Sequence, residues 1–137
     1  MLDDHERSRA ELRVAIEAAG GEVADEAVRC TEVLEIVRAA RPDVVVCAVG
    51  LADGDGIDAA AQVVAEGCPV VLFTSHTGDE LVERARAAGV MALLLKPLRP
   101  AELAPALDLA VARFTETQRL RRRLVERKVI DRAKGLL

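Results

Sequence analysis

Hydrophobic and polar positions alternate between two periods along this chain. From Arg7 to Ala19, Leu12, Ile16 and Ala19 recur at helical spacing, and Gly20-Gly21 supplies the stop. Glu22-Val23-Ala24 reads as a short strand. Thr31 is placed to cap a second helix, whose stripe is Val33, Leu34 and Val37, with Pro42 beyond its end. Val44-Val45-Val46-Cys47-Ala48-Val49 is then apolar without a break, the pattern of a strand buried on both faces. Gly50 to Gly56 reads as a flexible acidic loop and Ile57 to Ala65 as a third helix. Pro69 to Phe73 is a second unbroken apolar strand, followed by the polar group Thr74-Ser75-His76-Thr77-Gly78. Asp79 to Ala88 predicts a helix with Gly89 just past its end, and Val90 to Leu95 a third long apolar strand closed by Lys96-Pro97. From Pro100 a helix runs to Gly135, with Pro105 bending its opening turns.

Strand and helix in turn predict an open parallel sheet with helices on both faces. Ligands and reactive groups in such folds lie beyond the carboxyl ends of the strands. That rule selects Ala48–Gly56, Thr74–Gly78 and Lys96–Pro97, with Asp3-Asp4 standing where a first strand ends. Only Met1-Leu2 precede those acids, so the first strand is largely missing. A doubly wound sheet would keep that strand near its centre, and its loss predicts a hole between neighbours. The chain is expected to start late.

The 137 residues suit one domain with an appendage. Hydrophobic residues make 51% of it and aromatics 1%, so the core is aliphatic and no base-stacking surface is available. No apolar run approaches the length of a membrane span. No charged-then-apolar leader is read at the start. Cys30, Cys47 and Cys68 are odd in number, widely spaced and set among apolar residues. They predict reduced core thiols of a cytoplasmic protein rather than a disulfide or zinc framework. His5 and His76 have no companions at ligand spacing and are expected in solvent.

Charge divides the chain. Residues 1–112 hold 10 Lys+Arg against 20 Asp+Glu, whereas residues 113–137 hold 9 against 3. A basic helical tail on an acidic body meets a polyanion or an acidic partner, or simply faces water.

Leu2-Asp3-Asp4-His5, Pro42-Asp43, Asp55-Gly56, Thr74-Ser75, Ala88-Gly89 and Lys96-Pro97, in this order and spacing, resemble a response-regulator receiver domain. The resemblance implies an α/β, flavodoxin-like, doubly wound parallel sheet with the first strand largely missing and a long C-terminal helix. Arg127-Lys128-Val129-Ile130-Asp131-Arg132-Ala133-Lys134-Gly135-Leu136-Leu137 resembles the opening helix of the ANTAR domain, an RNA-binding module of antitermination regulators. The implied organisation is a receiver-like domain over 1–112, a helical linker over 113–123, and the truncated beginning of an ANTAR domain over 124–137.

A receiver, as the resemblance implies, takes a phosphoryl group onto an aspartate at the end of its third strand. Paired acids hold Mg2+, and a hydroxyl and a lysine contact the product. By position Asp3 and Asp4 match the metal acids, Thr74 the switch hydroxyl and Lys96 the lysine. The acceptor position is held by Ala48, and a methyl group cannot take a phosphoryl group. Asp53 lies five residues further on, in the loop, and is not expected to stand in line with Lys96. Asp55 is expected to serve its turn. Leu93 stands where receivers often place an aromatic switch residue. Otherwise Asp3 and Asp4 would cap the first helix, Lys96 would pair with one of them, and Thr74 would be satisfied by backbone.

Leu103, Leu107, Ala110 and Phe114 predict the docking face of the last helix. Beyond them Leu120 and Leu124 thin the stripe, and the helix is expected to form a homodimer. Arg127, Lys128, Arg132 and Lys134 are left for RNA phosphates. The expected function is an ANTAR-type response regulator binding RNA for transcription antitermination, with a pseudo-receiver silent at the usual position. The alternative is a receiver-like protein-interaction module, docking a histidine kinase or another receiver and having no RNA role. A small-molecule site in the degenerate pocket is a third reading. No enzyme is expected, since no nucleophile–base pair or glycine-rich phosphate loop is evident.

Overall fold

The computed structural model describes residues 1–136 except Asp3, Asp4, Ala52, His76 and Thr77, and describes side chains as far as Leu124. The elements are α1 (Glu6–Ala18), α2 (Cys30–Ala40), β1 (Val45–Ala48), β2 (Gly50–Leu51), β3 (Gly54–Asp55), α3 (Gly56–Ala65), β4 (Val70–Thr74), α4 (Asp79–Ala88), β5 (Ala92–Leu95) and α5 (Pro100–Leu136). The three apolar runs form a parallel sheet in the order β1-β4-β5, with Val45 opposite Val70 and Val71 opposite Ala92.

Alternation along these strands divides the core in two. Val45, Cys47, Val70, Leu72 and Leu93 face α2, α3 and α4 through Val33, Val37, Ala60, Val63 and Ala85. Val46, Val71, Phe73 and Leu94 face α1 and α5 through Leu12, Ala15, Leu103 and Ala110. Helices on both faces explain why these strands carry no polar alternation. The α1 stripe is shifted from expectation: Leu12 and Ala15 are buried, Ile16 is half-buried and Ala19 is exposed. Leu103, wholly buried, anchors α5. The helix continues through Pro105, which cannot donate to the carbonyl four residues back.

Among the described residues the first strand is represented by Leu2. Leu2 bridges Cys47 on one side and Ala27 on the other, both in the parallel sense. Its amide donates to the Val46 carbonyl at 2.7 Å, and its carbonyl accepts from the Ala48 amide at 2.7 Å. Glu22-Val23-Ala24 forms no strand; Ala27 takes that place in the sheet, because it is the residue opposite Leu2. A cavity of about 400 Å³ lies at the N-terminal ends of the strands, lined by Met1, Ile16, Val33, Val37, Val44 and Val46 among others. Between the first strand's neighbours themselves there is no gap at Leu2, which bridges both.

Two local departures lie in the loop after β1 and at the start of α2. Gly50–Leu51 and Gly54–Asp55 of the loop pair as an antiparallel ribbon, with Gly50 opposite Asp55 and Leu51 opposite Gly54. Leu51 packs against the core beneath it. Thr31 does not cap α2, which begins a residue earlier, at Cys30, with Arg29 in the cap position and no cap from its side chain. Gly89 ends α4 at φ 86°, a left-handed conformation that suits glycine. A Cβ there would also lie 2.9 Å from Val64 Cγ1.

Candidate functional site

The C-terminal edge of the sheet gathers three of the residues singled out from the sequence. Ala48 ends β1 and lies opposite Phe73, so its neighbour at the next step of β4 is Thr74. Thr74 lies opposite Leu95, and Lys96 follows β5 directly. The Lys96 amide donates to the Thr74 carbonyl at 2.8 Å, fixing the two strand ends together. Ala48 and Thr74 are buried, 2% and 5% exposed. Lys96 is half-buried, its Nζ 5.0 Å above the centroid of the Phe73 ring, a cation–π contact. Leu93 is half-buried against the core, opposite Leu72.

The remaining assignments lie elsewhere. Asp3, Asp4 and His76 are outside the described residues, as are the side chains of Arg127, Lys128, Arg132 and Lys134. His5 is exposed in the cap position of α1, without a cap hydrogen bond from its side chain. The 400 Å³ cavity is at the opposite end of the sheet and is lined by none of Ala48, Thr74 or Lys96.

The loop joining β1 to α3 is held very tightly against the strand it leaves. Cys47 Sγ donates toward the carbonyls of Ala48 (3.3 Å) and Gly56 (3.4 Å), and the Gly56 amide donates to Val49 at 2.7 Å. A Cβ on Gly56 would fall 1.7 Å from the Ala48 carbonyl oxygen, so only glycine fits there.

The two loop carboxylates have structural partners. Asp53 accepts from the backbone amides of Cys30 (3.0 Å, Oδ1) and Thr31 (3.5 Å, Oδ2), 23 and 22 residues away in sequence, so it caps α2. These amide bonds, chiefly that from Cys30, hold its carboxyl below its ordinary range. Asp55 caps α3, accepting from the Ile57 amide at 2.7 Å. It also takes an ion pair from Arg84 of α4, Nη2 to Oδ2 at 2.6 Å. Burial alone would raise the Asp55 carboxyl, but the Arg84 guanidinium and the Ile57 amide outweigh it and hold the group low. Sequence reasoning foresaw the turn at Asp55 but neither the Asp53 cap nor the Arg84 pair, since both join residues with no shared periodicity.

The cysteines are thiols. Cys47 and Cys68 are buried and Cys30 is half-buried. Burial pushes Cys68 up to about 11. Cys30 is likewise pushed up to about 11, by burial first and by the nearby Asp53 charge second.

An alternating α/β chain with a two-faced parallel sheet, and a hydroxyl and a lysine at the ends of neighbouring strands, has the architecture of a signal receiver. The chain belongs to the response regulator receiver domain family, whose model matches residues 1–108. Over 145 aligned residues, covering 100% of this chain and 71% of the relative, it is 38% identical to the transcriptional regulatory protein PdtaR of Mycobacterium tuberculosis. It is 36% identical over 112 residues to the DNA-binding transcriptional activator DevR/DosR of the same bacterium, covering 77% of this chain and 50% of that one. A LuxR-family two-component response regulator from Aurantimonas sp. SI85-9A1 superposes with a TM-score of 0.75 at 31% identity, over 81% of each chain. The receiver domain of a modulated diguanylate cyclase from Desulfovibrio desulfuricans G20 reaches 0.78 at 24% identity, over 85% of this chain and 94% of that one, a likeness of fold. Among the described residues no helix is long and apolar enough to cross a membrane.

Proposed function

We propose that this response regulator is of the ANTAR type: a cytoplasmic antitermination regulator that binds structured RNA as a homodimer, with a receiver that is not phosphorylated at the usual position. Its receiver-like domain covers 1–112, its linker 113–123, and the opening of its RNA-binding domain 124–137. The observation that carries this reading is the basic excess of residues 113–137, whose charged residues lie on one helix, Pro100–Leu136, that runs on from the acidic receiver body. The likeness to a transcriptional regulatory protein along the whole chain supports it.

The receiver half of the proposal rests on Ala48. It ends β1, the strand flanked by Leu2 and β4, and a side chain there would reach the sheet edge shared with Thr74 and Lys96. A methyl group has no lone pair to attack phosphorus and no oxygen for a metal. Ala48 therefore supplies neither an acceptor oxygen nor a ligand to the Mg2+ that the family's chemistry calls for. Asp3 and Asp4 are assigned as the acidic pair and as the residues that would hold Mg2+. Thr74 and Lys96 are assigned as the remnant of the switch. Asp53 does not replace the missing acceptor, because its two oxygens are engaged at the α2 amides. Input then comes by non-covalent docking of a histidine kinase or another receiver.

Arg127, Lys128, Arg132 and Lys134 supply phosphate contacts, and each contact that releases counterions steepens the salt dependence of binding. The test is filter binding of the full-length protein, with the whole of the RNA-binding domain that opens at 124–137, to a structured RNA hairpin across a salt series. Affinity is expected to fall log-linearly with salt, and Arg127→Ala or Lys128→Ala to lower the slope by about 0.7–0.9 each. No RNA binding at low salt, with or without these substitutions, overturns the reading in favour of a protein-docking module.

A further inference from the structure

Asp53 and Asp55 stand two residues apart on one ribbon, yet they hold different helices. Asp53 binds the first-turn amides of α2. Asp55 binds the first-turn amide of Ile57 in α3 and the guanidinium of Arg84, which projects from the penultimate turn of α4. Arg84 Nη2 also lies 3.9 Å from Asp58 in the first turn of α3. Gly54 and Asp55 pair with Leu51 and Gly50 across the ribbon, and half-buried Leu51 packs against the core. Cys30 Sγ adds a contact at 3.9 Å to the Asp55 carbonyl, and Gly54 lies against the Cys30 side chain. Only Gly54 separates the two carboxylates along the chain, and it is paired with Leu51, so a displacement of one is passed to the other.

We infer that the β2–β3 ribbon is a carboxylate latch that mechanically couples the N-terminus of α2 to α4, with Asp53 and Asp55 as its two hooks and Arg84 as the positioning residue on α4. Displacing either helix end pulls the ribbon, and the ribbon pulls the other. The coupling needs no covalent chemistry at the neighbouring Ala48, and it rests on these contacts independently of any RNA role. A partner that presses on the first turn of α2 is thereby felt at α4, on the far side of α3. Direct packing of α2 on α3 and of α3 on α4 is the competing route, and the experiment separates the two.

The experiment is hydrogen exchange followed by mass spectrometry on the full chain, comparing wild type with Arg84→Gln, Asp53→Asn, the double variant and Arg84→Lys. Circular dichroism first confirms that each folds. Arg84→Gln is expected to raise exchange in the first turn of α2, a helix Arg84 does not touch, by about threefold, a typical size for coupled sites. Asp53→Asn is expected to do the same for α4. The double variant should exceed the larger single effect by little, because either change opens the same latch. Arg84→Lys keeps the charge and should restore part of the protection. Arg38→Gln, which breaks the 2.6 Å pair with Glu66 joining α2 to the end of α3, serves as the control and should leave α4 unchanged. Effects confined to the helix bearing each substitution, additive in the double variant, overturn the latch. So does an equal response of α4 to Arg38→Gln, which would assign the coupling to general packing. Should Asp53→Asn fail to fold, the effect of Arg84→Gln on α2 decides alone.

Discussion

Gly56 is where the structure makes its sharpest demand on the sequence. A Cβ built there lies 1.7 Å from the Ala48 carbonyl oxygen, 2.7 Å from the Ala48 carbonyl carbon and 2.8 Å from the Val49 carbonyl oxygen. Even the close carbon–oxygen contacts between strands stand at about 3.3–3.6 Å. Gly56→Ala must therefore part the end of β1 from the start of α3 by more than about 1 Å. Neither side yields easily: Ala48 is bonded to Leu2, and the Gly56 amide to Val49 at 2.7 Å. Overpacking of this kind costs about 1–3 kcal/mol, and loss of the Gly56 bond adds about 1 kcal/mol. The higher helix propensity of alanine returns at most about 1 kcal/mol. The net destabilisation is about 1–3 kcal/mol. At the usual unfolding entropy for a chain of 137 residues, that lowers Tm by about 3–10 °C. Gly50→Ala, in the same loop, is the matched control, since nothing lies within 4 Å of its added Cβ. It should stay within about 0.5 kcal/mol of wild type. Urea titrations and thermal melts read both. Equal stability of the two variants would refute the close approach and, with it, the description of the loop.

Three further outcomes follow from the packing and the charges. Leu103→Ala removes a wholly buried side chain from beneath α5 and should cost about 3–4 kcal/mol in urea unfolding; a cost under about 1 kcal/mol would mean that α5 is not docked there. Cys30, though half-buried, should alkylate slowly with iodoacetamide at pH 8, because its thiol is pushed up to about 11, and Asp53→Asn should speed it by removing the neighbouring charge. Mass-resolved labelling kinetics with equal rates in both proteins would contradict that. Asp53 and Asp55 are held below their ordinary value of 3.8, so each binds fewer protons folded than unfolded. Their stabilisation is complete above that value and is lost as pH falls through the lower folded values. Urea midpoints between pH 6 and pH 3 should therefore fall less steeply in Asp53→Asn and in Asp55→Asn, the latter group facing Arg84 and, more distantly, Asp58.

Much of the fold could be read from residue order because its strands are unusual. Val45–Ala48, Val70–Thr74 and Ala92–Leu95 lie between two helical layers, so burial on both faces writes itself as an unbroken apolar run. The edge that gathers Ala48, Thr74 and Lys96 follows from the parallel topology alone. What escaped was non-local or too short for periodicity. The β2–β3 ribbon has two residues per strand and reads as an acidic loop. Leu2 and Ala27 enter the sheet as single bridges, which no hydrophobic pattern announces. The α2 cap comes from Asp53 instead of from the helix's own leading residues, and the Arg84–Asp55 pair spans 29 residues. Asp55-Gly56 reads as a turn; that the glycine is required by a strand end 8 residues earlier emerges only in three dimensions.

The silent receiver is tested most directly by phosphoryl transfer. The folded chain is incubated with radiolabelled acetyl phosphate and Mg2+, and hydroxylamine-sensitive label is counted per chain and mapped by mass spectrometry. With Ala48 at the strand tip, uptake should stay far below one phosphoryl group per chain. Stoichiometric, hydroxylamine-sensitive label on any carboxylate of the sheet's C-terminal edge would contradict the account.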